Sequence, residues 1–152
     1  MFRSTSHLEI FHTDLSYDLF RDVLHDATLR KYEFSVTIRD DTIYDNSVHQ
    51  FINACMSKDS TVTRTGEWPG TKLKYGGATV VRGTLTADSL GVLLPVGGFF
   101  NFRGPTYPED LAIYSHSEPV CFAVAHENFG YVDLQQFSSQ IADRLQQHVQ
   151  ET

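Results

Sequence analysis

Polar and apolar residues alternate most cleanly over residues 32–39, where Tyr32, Phe34, Val36 and Ile38 interleave with Glu33, Ser35, Thr37 and Arg39. A period of two puts alternate side chains on opposite faces, so the segment predicts a strand with one dry and one wet face. Residues 7–12 repeat the pattern, with Leu8, Ile10 and His12 set against His7, Glu9 and Phe11. Between these strands the period lengthens. Leu15, Leu19, Val23 and Ala27 fall on one helical stripe, with Thr13 or Ser16 available as N-cap. After a turn over residues 40–46, Val48, Phe51, Ile52 and Cys55 follow helical spacing and predict a second helix.

The middle of the chain reads as strand and turn. Thr61, Val62 and Thr63 are β-branched, and Gly66, Pro69 and Gly70 interrupt the chain around Trp68. Gly76 and Gly77 precede a strand over residues 78–85, and Thr86 caps a short helix through Leu90 to Leu93 or Leu94. Gly97, Gly98, Phe99, Phe100, Phe102, Gly104 and Pro105 then make a long irregular connection, of the kind that tends to be functional or mobile. Ala112 to Tyr114 form a strand core, and His116, Ser117 and Glu118 turn the chain into a returning strand over residues 120–126. Both faces of that return are apolar, with small Cys121 and Ala123 on one of them, which predicts a central strand with a helix packed close. Asp133 caps a final helix with Leu134, Phe137, Ile141, Leu145 and His148 on one stripe. The expected fold is therefore α+β: a mixed or mainly antiparallel sheet of five to six strands, two to three helices, and a packed C-terminal helix. At 152 residues the whole chain, 1–152, is expected to form one globular domain.

Charge narrows the class of partner. The net charge is −7, and it is unevenly spread. Residues 1–60 carry ten acids and six bases, residues 61–104 two acids and five bases, and residues 105–152 seven acids and one base. From Gly104 to Asp143 there are six carboxylates and no Lys or Arg. Such a field repels phosphates and attracts basic surfaces, so a basic protein partner is expected and nucleic acid is not. Arg3, Ser4, Thr5, Ser6 and His7 lack the apolar stretch of a signal peptide, and no run approaches a membrane span. Two cysteines are too few for a disulfide framework or a Cys-rich zinc site. A cytoplasmic location with no membrane contact, no cofactor and no metal is the expectation.

Catalytic signatures are weak. His126 and Glu127 are adjacent, so in a strand they point to opposite faces and serve one site only if the strand ends there, an ending that Asn128 and Gly130 allow. His116 and His126 lack a zinc-ligand spacing, Ser89 lacks the G-x-S-x-G elbow, and the paired glycines lack a phosphate-binding Lys. Trp68, beside Pro69 and Gly70, reads either as a core plug or as part of a recognition loop. No catalytic residue is assigned. The expected function is a non-enzymatic acidic binding protein that masks a basic partner through Trp68, Tyr107, Glu109, Asp110, Glu118 and Glu127. A bacterial immunity protein that neutralises a toxin domain is of this kind, an analogy from composition alone. The competing expectation is a small enzyme or ligand-binding domain with a pocket near Trp68, Arg64, Arg103, Tyr107 and His126, and the aromatic residues 99–102 as its lid.

Overall fold

The computed structural model of the chain describes residues 8–152. The expectations placed on His7 as the start of a strand, and on the segment around Arg3, lie outside the described residues. In chain order the elements are β1 (Leu8–Phe11), α1 (Tyr17–Leu29), β2 (Glu33–Arg39), α2 (Ser47–Cys55), β3 (Thr61–Thr65), β4 (Glu67–Trp68), β5 (Thr71–Lys72), β6 (Ala78–Thr84), α3 (Ala87–Leu93), β7 (Glu109–Ser115), β8 (Glu118–Val124), β9 (Phe129–Asp133) and α4 (Ser139–Gln150). Seven strands join in one antiparallel sheet in the order β1-β9-β8-β7-β2-β6-β3, and β4 pairs with β5 alone. The fold is α+β, with one strand more in the main sheet than the five or six expected. The extra strand is β9, whose pattern is broken by Gly130, a position with no side chain to mark a face.

Alternation along the strands sorts the sheet into two faces. Phe34, Val36, Val81, Ile113, Cys121, Ala123 and Val132 face one continuous core, to which all four helices contribute. The small Cys121 and Ala123 are fully buried there, as a closely packed helix layer requires. Burying each large apolar side chain of this layer contributes roughly 1.5–3 kcal/mol. Ala112, Tyr114, Phe122 and Tyr131 form a separate small cluster that includes no helix residue. Phe34 and Phe122 are both buried, but β7 stands between their strands and they face opposite ways.

Local chemistry sets the helix starts. The Ser16 hydroxyl accepts from the Leu19 N–H at 3.2 Å and begins α1. Thr86 and Ser89 exchange side-chain and backbone bonds in a capping box at α3. The final helix begins later than expected. Asp133 caps only a short 3₁₀ turn over Leu134–Gln136, and Ser138 caps α4.

The connection after α3 is core rather than lid. It forms two 3₁₀ turns, Leu94–Val96 and Phe99–Asn101, and Phe99 and Phe102 are fully buried. Phe99 meets Phe20 of α1 edge-on at 5.2 Å. Three phenylalanine rings within four residues, Phe99, Phe100 and Phe102, anchor it to the core.

The β4–β5 hairpin lies against the second sheet face. Gly70, at φ 85°, sits where a Cβ would come within 2.5 Å of Val124 Cγ2 and 2.9 Å of Phe122 Cε1. Only a glycine lets the hairpin backbone approach β8 so closely. Farther along that face, toward β9 and β1, Leu8 and Ile10 are 38% and 43% exposed.

Candidate functional site

Two consecutive acids open β7, and both are inside the protein. Glu109 is 0% exposed and Asp110 2%. Strict alternation would send one of them to each face. Here the β2–β7 register slips between Ser35 and Thr37, and Asp110 adopts φ 57°, a region that Asp tolerates better than most residues. Asp110 Oδ2 accepts from the Trp68 indole N–H at 2.9 Å, and Oδ1 accepts from the Ala125 N–H at 3.0 Å. Glu109 Oε2 accepts from the Gly104 N–H and, at 3.1 Å, from the Tyr44 hydroxyl. Its other oxygen, Oε1, has no aligned hydrogen bond, although His126 Nε2 lies 2.8 Å away.

The expectation that Glu109 and Asp110 present charge to a partner is therefore corrected: they are buried carboxylates. The sequence around them holds no Lys or Arg, and the fold answers them instead with neutral N–H and O–H donors, which a charge count does not register. Burial pushes both carboxyl groups above their ordinary range, against the opposing pull of these hydrogen bonds and of His126. Tyr44 is also pushed up by burial. Arg39 bonds Asp41 at 2.9 and 2.8 Å and lies 5.6 Å from the Trp68 ring, adding positive charge near the pair.

His126 and Glu127 leave the strand alternation because β8 stops at Val124. Ala125–Glu127 form a 3₁₀ turn closed by Asn128 at φ 54°. Both side chains then line one open cleft of about 540 Å³, with Arg39, Asp41, Thr71 and Lys72 on its other walls. A carboxylate-backed histidine at a polar cleft is an arrangement able to exchange a proton or hold a polar group.

The other expected residues divide. Trp68 is 6% exposed, so it is the core plug and not a recognition loop. Tyr107 is half-buried and packs against Phe51 at 5.7 Å on the helix side. Glu118 and Glu127 are exposed, as a partner-binding role requires. Of the alternative pocket, Trp68 reaches His126 indirectly, since Asp110 holds both the indole and the amide of Ala125. Arg64 stands elsewhere, paired with Asp40 at the β3 edge, and Arg103 and Tyr107 line a different groove of about 330 Å³. The structure thus does not gather that pocket as one site. Tyr44, Arg39, Gly104 and Lys72 join the site without any spacing signal in the sequence.

Among the described residues, no three of His, Cys, Asp and Glu are placed to hold a metal ion, and His116 lies at the far end of β8 from His126. Cys55 and Cys121 are buried thiols, Cys55 pushed up to about 12 by burial and Cys121 also raised. No described helix is long and apolar enough to cross a membrane.

A second surface lies on the bare end of the sheet. Ile10 of β1 stands opposite Tyr131 of β9, and Leu8 opposite Asp133. Tyr131 lies against Phe122 at 4.9 Å with the rings tilted by 32°, and meets Phe129 edge-on at 5.3 Å. Phe129 and Tyr131 are half-buried, and exposed Glu127 lies two residues before Phe129, at one end of the patch. β1, β8 and β9 contain no Lys or Arg. The expectation singled out neither Phe129 nor Tyr131, because β9 was not legible as a strand. No protein-family model, curated protein or solved structure matches the chain.

Proposed function

We propose that the chain is a non-enzymatic binding protein that masks a basic protein partner, and that the partner docks on the bare end of the sheet. One observation carries this reading: a partly exposed apolar surface of Leu8, Ile10, Phe129 and Tyr131 is bordered by Glu127 and Asp133, and the strands that form it, β1, β8 and β9, hold no base. An apolar centre within a polar rim is the common anatomy of a protein interface. Acidic rims steer basic surfaces and raise the association rate. A cytoplasmic immunity protein that neutralises a bacterial toxin domain is the kind of protein this reading describes.

The test pairs two charge insertions. Tyr131→Lys places a base in the patch, and Val62→Lys places one on the exposed β3 edge. The wild-type chain and the Val62→Lys variant should retain a basic partner from the native host, whereas Tyr131→Lys should lose it. Association should also slow as salt rises. Equal retention by both variants, or a partner as acidic as this chain, would overturn the reading.

A second reading, a small enzyme or ligand-binding domain, draws support from the Glu109–His126 contact at the cleft. A turnover that falls more than about a hundredfold in His126→Gln, with folding intact, is the size expected for a lost acid–base group and would favour it.

A further inference from the structure

β3 is the last strand of the main sheet, paired with β6 through all five of its residues. Among the described residues, no strand lies on its other side, and no turn or loop bond takes up a backbone N–H or C=O of residues 61–65. Thr61 to Arg64 are exposed, Val62 by 55%. An antiparallel edge strand turns alternate backbone groups outward, so β3 presents an unfilled half-ladder.

Proteins ordinarily blunt such an edge with Pro, a bulge, a very short strand or an unpaired charge. β3 uses none of these. Its register with β6 runs without a shift, and it contains neither Pro nor Gly. Its one charged residue, Arg64, is already bound to Asp40 at 2.8 Å and to the Thr79 hydroxyl at 2.9 Å.

The sequence of the strand points to what fills the edge. Thr61-Val62-Thr63-Arg64-Thr65 reads nearly the same in both directions about Thr63. A two-fold axis at Thr63 between two antiparallel β3 strands sets Thr61 opposite Thr65, Thr63 opposite itself and Val62 opposite Arg64. This register pairs all five residues, and a two-fold contact demands such self-complementarity. Threonine pairs are favourable neighbours across strands. Thr61, Thr63 and Thr65 line one face of the sheet, beside Trp68 and Tyr114. Val62 lies on the other face, next to buried Val81. There the aliphatic stem of one copy's Arg64 would cover the exposed Val62 of the other.

We propose that two copies of this chain pair edge to edge through β3 and join their seven-stranded sheets into one continuous sheet. The apolar surface on β1 and β9 then lies at the two outer ends, so the dimer offers two docking surfaces to a basic partner. The pairing does not depend on that docking, and failure of either leaves the other standing.

Sedimentation equilibrium of the full chain should show a monomer–dimer equilibrium. Its Kd should be micromolar, since a five-residue edge is at the small end of specific interfaces. Two chains of net charge −7 repel, so dimerisation should tighten as salt rises, the opposite of association with a basic partner. Thr63→Lys and Thr63→Glu each set like charges face to face across the two-fold axis and should raise the Kd more than tenfold. Mixed in equal amounts, the two variants should recover the dimer. If either fails to fold, Thr63→Cys under mild oxidation should give a disulfide-linked dimer, while wild type, with both its cysteines buried, should not. Val62→Lys, which sets a second base against the other copy's Arg64, should lose the dimer and keep the basic partner; Tyr131→Lys should do the reverse. A single chain at every concentration, a dimer indifferent to Thr63→Lys, no recovery in the mixture, or a dimer lost in Tyr131→Lys would overturn the proposal.

Discussion

The Trp68 indole donates a hydrogen bond to Asp110 Oδ2 at 2.9 Å across 42 residues of chain, with both side chains buried. Asp110 Oδ1 also holds the Ala125 N–H. One carboxylate therefore joins the β4–β5 hairpin, the start of β7 and the turn that carries His126 and Glu127. The cleft has its shape because that clasp holds its two walls.

Trp68→Phe keeps most of the ring and removes the donor. Asp110 Oδ2 would then be a buried oxygen without a partner, at a cost of about 1–3 kcal/mol. Urea unfolding should show this loss, and the amides of residues 125–127 should shift in NMR spectra of the folded variant. A change below about 0.5 kcal/mol would mean that the indole bond contributes less than a typical hydrogen bond.

Charge reversal should separate the buried acids from the exposed ones. Glu109→Lys removes the acceptor for the Gly104 N–H and the Tyr44 hydroxyl and places a cation in their midst. Breaking a buried charged arrangement from one side typically costs about 3–5 kcal/mol, so this variant should be largely unfolded by circular dichroism. Glu118→Lys and Glu127→Lys alter exposed positions and should leave the thermal midpoint nearly unchanged, while slowing association with a basic partner at low salt. A well-folded Glu109→Lys protein would contradict the buried placement of this side chain.

Stability should have a maximum near the ordinary carboxylate range and fall on both sides of it. Burial raises Glu109, Asp110 and Asp14, so the folded state holds their protons more tightly than the unfolded chain does. Stability contributed in this way is present at low pH and is lost as pH rises from the unfolded values through the raised folded ones. Asp41 is held down at about 2, chiefly by its Arg39 hydrogen bond, and acts in the opposite sense. Its contribution is lost as pH falls from the ordinary range toward 2. Urea midpoints measured in steps from pH 3 to pH 7 should show this profile, and Glu109→Gln should flatten its alkaline side. An alkaline slope identical in wild type and Glu109→Gln would show that Glu109 ionises without penalty.

The elements that the sequence determined by itself are those whose cause is local. β2 and α1 are written in periods of two and of three to four residues. The Ser16 and Thr86 caps lie within three residues of the N–H groups they accept, and Cys121 and Ala123 advertise a close helix. β9 is not legible in this way, since Gly130 erases its alternation and one of its two partners, β1, comes from the other end of the chain. Only the tertiary structure decided which acids are surface and which are core. The donors that answer Glu109 and Asp110 come from Tyr44, Trp68, Gly104 and Ala125, as far as 65 residues away. Those donors are neutral, so no count of charges along the chain distinguishes Glu109 from Glu118; burial and hydrogen bonding, set by the packing of distant segments, do.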